Sequence, residues 1–329
     1  MKLAGCGTAL VTPFRADGAL DEEALRRLVE RQIAGGVRFL VACGTTAETP
    51  ALDAGEWERA IAIVAATAAG RAPVLAGCTH NATREAVANA RKAAAVPGVY
   101  GLLTANPYYN KPGQEGQYRH FRAIAEAAPC PVVIYNIPGR TAANLEPATL
   151  LRLAKDCPNI RGVKESSGSV PQIAEILSRA PEDFSVLAGD DVMALPVIAL
   201  GGAGLVSVAS NEVPAAMSRM VDAALAGDWD EARRLNRRYF KLIAANFLES
   251  SPGPVKCIMA MMGLLEERYR LPMVPVGDAT REKLARIVEE LELAPRAKSD
   301  GGSAQTEMPA AEPAGAAPGG TKREPERGQ

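Results

Sequence analysis

A lysine set inside an apolar, strand-like run is the most chemically pointed feature of this 329-residue chain. In Ile160-Arg161-Gly162-Val163-Lys164 the ammonium has to leave water, and desolvation favours the uncharged, nucleophilic amine. The other reading of Lys164 is structural: the amine reaches the rim along its own aliphatic stem, or pairs with Glu165 or Asp190. Tyr135 ends the preceding apolar run. A phenol there can give and take the protons that imine formation requires, or it can sit buried against a backbone carbonyl. Thr45 and Thr46, in a Gly-Thr-Thr turn, offer hydroxyls and N–H groups to a carboxylate, although such turns also serve as caps. Arg140 follows a Pro-Gly turn and presents either a planar fork for a carboxylate or an exposed loop charge. Taken together, these groups describe an enzyme that forms a lysine imine with a 2-oxo acid.

Eight short, nearly all-apolar runs have to position them: residues 7–13, 37–43, 73–78, 99–105, 131–136, 160–166, 184–190 and 203–210. Runs of this length without polar alternation read as strands buried on both faces, the pattern of a parallel sheet. Amphipathic helical stretches lie between them, for example Asp21 to Ala34 and Asp53 to Ala69. Eight strand-then-helix units predict an α/β fold, a (β/α)8 TIM barrel, in preference to a doubly wound sheet. The first βα turn, Thr12-Pro13-Phe14, also lacks any G-x-G-x-x-G fingerprint. In such barrels the chemistry sits at the C-terminal strand ends, where Thr45, Tyr135, Lys164 and Gly189 all fall. Beyond the eighth run, 212–227, 230–249, 254–267 and 278–293 read as helices, the first closing the barrel. The expected organisation is a catalytic barrel over 1–225, a C-terminal helical domain over 226–296 and a disordered tail over 297–329. That tail has no Ile, Leu, Val or aromatic residue to offset the entropy of ordering.

Composition narrows the partners. With 37 basic and 38 acidic side chains, a net charge of -1 provides no field for nucleic acid or an anionic membrane. No apolar stretch approaches the roughly 20 residues that span a bilayer. Met1 to Gly18 shows one lysine and no long apolar core of a secretion signal, so a cytoplasmic enzyme acting on small molecules is expected. The six cysteines are scattered, with no C-x-x-C pair, and the two histidines, His80 and His120, lie far apart, so no metal site is expected.

From about Gly5 to Leu293 the chain resembles the dihydrodipicolinate synthase / N-acetylneuraminate lyase family of pyruvate-dependent class I aldolases. The resemblance is carried by GTALVTPF (7–14), GTTAETPAL (44–52), NPYYNKP (106–112), YNIPGRT (135–141), GVKESSG (162–168), AGDD (188–191) and GPVK (253–256). It implies that Lys164 is the Schiff-base lysine for pyruvate and Tyr135 the proton donor and acceptor. Thr45 and Tyr109 would complete the relay, with Tyr109 serving a neighbouring protomer. Thr46, Val206 and Gly189 would contact pyruvate, and Arg140 would receive the carboxylate of L-aspartate 4-semialdehyde, on the way to lysine and diaminopimelate. The resemblance further implies no metal or organic cofactor, since the covalent imine is itself the electron sink. It also implies a homo-oligomer, a tetramer built as a dimer of dimers. Asn81, Glu85 and Tyr108 match an allosteric site for lysine, whereas Ala54 and Trp57 replace two histidines of many inhibited members. Ala47 stands where the family usually has glycine, and Ser251 where it has asparagine. Three other readings stay open: a 2-keto-3-deoxy sugar acid aldolase or dehydratase of the same family, a pyridoxal phosphate enzyme using Lys164, and a non-catalytic binding barrel.

Overall fold

The computed structural model describes residues 3–295. Eight parallel strands are hydrogen-bonded in sequence order and closed on themselves: β1 (Gly5–Ala9), β2 (Phe39–Ala42), β3 (Val74–Gly77), β4 (Val99–Ala105), β5 (Val132–Asn136), β6 (Ile160–Glu165), β7 (Ser185–Ala188) and β8 (Gly204–Ser207). Closure is made by β8 against β1, with Val206 opposite Gly7. The expected TIM barrel is therefore the fold.

Helices follow the strands: α1 (Glu22–Ala34), α2 (Ala54–Ala68), α3 (Thr83–Ala95), α4 (Gln114–Ala127), the single turn α5 (Pro138–Thr141), α6 (Pro147–Asp156), α7 (Val170–Arg179), α8 (Ala194–Ala199) and α9 (Pro214–Leu225). Their starts are encoded locally. Asp21 accepts a hydrogen bond from Ala24 N at 2.9 Å, and Asp53 with Glu56 forms a reciprocal capping box. Three more helices follow, α10 (Trp229–Ala245), α11 (Gly253–Met261) and α12 (Asp278–Glu290), with α10 packed on α9 and α11 on α12.

Two expected boundaries are corrected. The first strand begins at Gly5 and ends at Ala9, so residues 10–13 are loop; the Val11 N–H leaves the ladder for the side-chain oxygen of Asn211 at 3.2 Å. α11 stops at Met261 and does not run to 267, because Gly263 turns the chain with φ +70°. The tail expected over 297–329 lies outside the described residues.

Alternating strand residues point inward and form a separate apolar cluster that includes Phe39, Val41, Leu75, Leu103, Val133, Leu187 and Val206. Phe39 plugs this interior: a Cβ at Gly7 would sit 2.2 Å from its ring. The opposite strand faces meet the helices in a larger cluster that includes Leu40, Val74, Ile134 and Val163. Because the two faces alternate, the residues that replace apolar ones near the C-terminal ends of β5 and β6 have to project into the barrel mouth.

Candidate active site

Tyr135 and Lys164 are direct register partners on β5 and β6, so their side chains leave the sheet side by side on the inner face. Both are buried, at 5% and 4% exposure, and the lysine Nζ lies 3.9 Å from the centroid of the tyrosine ring. That contact is a cation–π or amine–π pairing, not an ion pair. Among the described residues Lys164 has no carboxylate partner. Glu165 is turned away, held by the Asn136 amide at 3.0 Å and the Ser167 N–H at 2.6 Å. Asp190 accepts from Val192 N at 3.2 Å. Pairing of Lys164 with Glu165 or Asp190, one of the structural readings of the sequence, is thus corrected. The Tyr135 hydroxyl likewise has no hydrogen-bond partner among the described residues, so the backbone-carbonyl reading of this tyrosine is corrected too.

Gly189 is shaped to the lysine. A Cβ there would lie 2.9 Å from Cγ and 3.0 Å from Cε of Lys164, and 2.0 Å from Ser166 Oγ. Any side chain at 189 would push the lysine stem out of line. Val206 is fully buried in the barrel interior beside Gly7.

Thr45 and Thr46 lie on a short 3₁₀ turn (Thr45–Ala47) just after β2, and neither side chain caps it. The turn is instead tied by Thr49 Oγ1 donating to Gly44 O at 2.8 Å. Arg140 lies on α5, exposed, with Nη2 donating to Ser251 O at 3.3 Å. Asn106 and Asn136, both buried at strand ends, staple the segments on either side of α5: Asn106 Oδ1 accepts from Ile137 N at 3.3 Å, and Asn136 Oδ1 from Leu145 N at 2.9 Å.

Tyr109 is placed differently. It stands 88% exposed on the β4–α4 connection with φ +73°, a left-handed backbone unusual for a side-chain-bearing residue. Asn110, the next residue, donates to Asn81 O at 3.0 Å, and His80 and Tyr108 approach with ring centroids 6.5 Å apart. Asn81 and Tyr108 are thereby brought near each other, while Glu85, in the first turn of α3, pairs with Arg84 at 2.8 Å. Trp57 is buried and donates to Gly77 O at 3.1 Å, so it serves the core.

Two buried groups near these loops had no role in the sequence reading. Glu48 and Lys256 form an ion pair at 2.6 Å with both side chains essentially inaccessible. Asp191 is buried and accepts from Ser207 Oγ and from Val208 N at 2.9 Å, tying the β7 loop to the end of β8. The available signals were a charge within the apolar stretch 253–262 and a second acid in Asp190-Asp191.

Fold and site define a (β/α)8 barrel with a buried lysine and a tyrosine side by side within it, the amine without a carboxylate and the phenol without a hydrogen-bond partner among the described residues. The chain belongs to the dihydrodipicolinate synthetase family, whose model matches residues 2–291. A 4-hydroxy-tetrahydrodipicolinate synthase of Acidobacterium capsulatum is 64% identical over 293 residues, covering 89% of this chain and 97% of that protein. Another, of Koribacter versatilis, is 59% identical and covers 88% of this chain and 96% of its own. A dihydrodipicolinate synthase structure from Aquifex aeolicus superposes with a TM-score of 0.87 at 40% identity, covering 90% of this chain and 100% of the other.

Proposed function

We propose that the chain catalyses the reaction its relatives are named for, that of a 4-hydroxy-tetrahydrodipicolinate synthase, by condensing pyruvate with L-aspartate 4-semialdehyde. The observation that carries this reading is Lys164, buried, unpaired and packed on the Tyr135 ring. An amine held this way costs stability and serves no ion pair, which is what a nucleophile requires.

The amine of Lys164 attacks the ketone carbon of pyruvate. Tyr135, its hydroxyl without a partner among the described residues, moves the proton that lets the carbinolamine lose water and become an imine. Loss of a methyl proton gives an enamine, with the nitrogen taking up the electron pair. The enamine carbon then adds to the aldehyde of the second substrate, and that substrate's own amine attacks the imine carbon. This closes the ring and returns Lys164 as leaving group. Thr45 and Thr46 face the ketoacid, and Arg140 offers its guanidinium to the carboxylate of the aldehyde substrate. No metal or organic cofactor enters the scheme. The exposed, strained Tyr109 suits a group completed by a neighbouring copy, so a homo-oligomer, a dimer of dimers, is the working assembly of this proposal.

Borohydride reduction in the presence of pyruvate is expected to leave one pyruvyl adduct, on Lys164, by peptide mass spectrometry. A coupled assay is expected to show turnover with aspartate semialdehyde and none with sugar aldehydes. An adduct on another lysine, or faster turnover with sugar aldehydes, would defeat the reading.

A further inference from the structure

Lys256 is the only cation of the described residues whose side chain is wholly buried in an ion pair. Its exposure is 0%, against 1% for Glu48. It reaches across from α11 to the turn that follows β2. Besides Glu48 Oε1 at 2.6 Å, its Nζ donates to Thr12 O at 3.0 Å, and it lies over the Phe14 ring at 4.5 Å and the Tyr269 ring at 5.0 Å. The other oxygen of Glu48 accepts from Arg270 N at 3.1 Å. Both grips on Glu48 therefore come from the C-terminal part of the chain.

Glu48 is the residue that ends the Thr45–Ala47 turn. Its N–H bonds to Thr45 O at 3.2 Å, and its backbone is in the left-handed region at φ +53°. A carboxylate-bearing residue keeps that conformation only when its surroundings impose it. The threonine side chains do not help, since neither bonds back to the turn. The turn bearing two substrate-facing hydroxyls is thus held by the Thr49 hydroxyl and by a carboxylate clamped from 208 positions away. The same stretch of chain touches the opposite side of the site, where the Ser251 carbonyl accepts from Arg140.

Resting on the imine reading above, we propose that Lys256 is a positioning residue: through Glu48 it fixes the Thr45–Thr46 turn. With the Ser251 carbonyl on Arg140, residues 251–256 set the spacing between the ketoacid-binding turn and the arginine for the second substrate. A pair kept only for stability could be exchanged for matched apolar side chains with little loss, whereas a pair kept for alignment could not.

The test compares Lys256→Met, the near-isosteric Glu48→Gln and the charge-retaining Lys256→Arg with the unaltered protein. The readouts are the borohydride-trapped pyruvyl adduct, the rate constant of imine formation on rapid mixing with pyruvate, and kcat and KM for both substrates. A rate constant, unlike an amplitude, does not depend on the fraction of folded enzyme. Lys256→Met and Glu48→Gln are expected to retain the adduct on Lys164 while imine formation and kcat fall about tenfold to a hundredfold, the cost of a small misplacement of a reacting group. Lys256→Arg is expected to recover part of the rate. Unchanged rate constants in an adduct-forming variant overturn the proposal alone. If Lys256→Met does not fold, Glu48→Gln decides by the same criterion. Absence of an adduct on Lys164 in the unaltered protein removes the imine reading, and the proposal with it.

Discussion

Two lysines of this chain are hidden from water and oppositely partnered. Lys164 lies on β6 with an aromatic face beside it and no carboxylate. Lys256 lies on α11 with a carboxylate at 2.6 Å and a carbonyl at 3.0 Å. Burial draws the Lys256 ammonium below the ordinary lysine value, and Glu48 pulls it back towards the charged form. Burial alone therefore does not make a nucleophile. A cation satisfied by an anion and a carbonyl has no lone pair to spare, whereas Lys164 has neither of those partners among the described residues, the arrangement that the proposed nucleophile calls for. The contrast lies in partners supplied by distant elements, not in the local setting of either lysine.

Removing each lysine separates the two cases. Lys164→Met is expected to abolish the pyruvyl adduct and lower kcat by roughly a thousandfold or more, as loss of a covalent nucleophile does. Its melting temperature should hold or rise, because an unpaired buried amine gives way to an apolar side chain of similar length. A marked drop in stability would mean that Lys164 has a structural partner after all. Tyr135→Phe keeps the ring under Lys164 and removes only the hydroxyl, so the fold should be unaffected while kcat falls about 10²- to 10⁴-fold, the usual worth of a positioned proton-transfer group. Retention of full turnover would assign the proton steps elsewhere. Lys256→Met should do the reverse of Lys164→Met in a denaturant titration, losing about 3–5 kcal/mol because Glu48 is left buried without its counter-charge. If the two lysine variants destabilise equally, the distinction between them fails.

Much of this was legible in the chain itself. Eight apolar runs without alternation allow few architectures besides a closed parallel barrel, and a lysine or tyrosine replacing an apolar residue near a strand end is conspicuous against that background. Residues 10–13 read as strand because apolarity does not reveal that the Val11 N–H finds Asn211 instead of the next strand. Lys256 was visible as a charge in an apolar stretch, but its partner lies 208 positions away, and no local pattern links GPVK to Glu48. Tyr109 shows the complementary limit. The resemblance implies a role for it in a neighbouring protomer, yet in a single chain its side chain stands in solvent.

A buried acid extends the comparison to a charge held by hydrogen bonds alone. Asp191 accepts from Ser207 Oγ and Val208 N but forms no ion pair among the described residues. Burial outweighs those bonds, with nearby Asp190 adding a little, and the carboxyl is pushed up from 3.8 to about 6. Below pH 4 it is protonated whether the chain is folded or not. Between pH 4 and 6 the unfolded chain ionises first, so this residue should subtract stability progressively, by roughly 3 kcal/mol in all, and nothing further above pH 6. Glu212, also raised by burial, acts with the same sign, while Glu22 and Glu56, held low by arginines, act against it. The difference between parent and Asp191→Asn in urea midpoints at pH 4.5, 5.5, 6.5 and 7.5 isolates the one group. It should change across the lower three and level off above pH 6.5. A difference independent of pH would mean that Asp191 keeps an ordinary carboxylate affinity for its proton. Its two donors would then do for an acid what Glu48 and the Thr12 carbonyl do for Lys256.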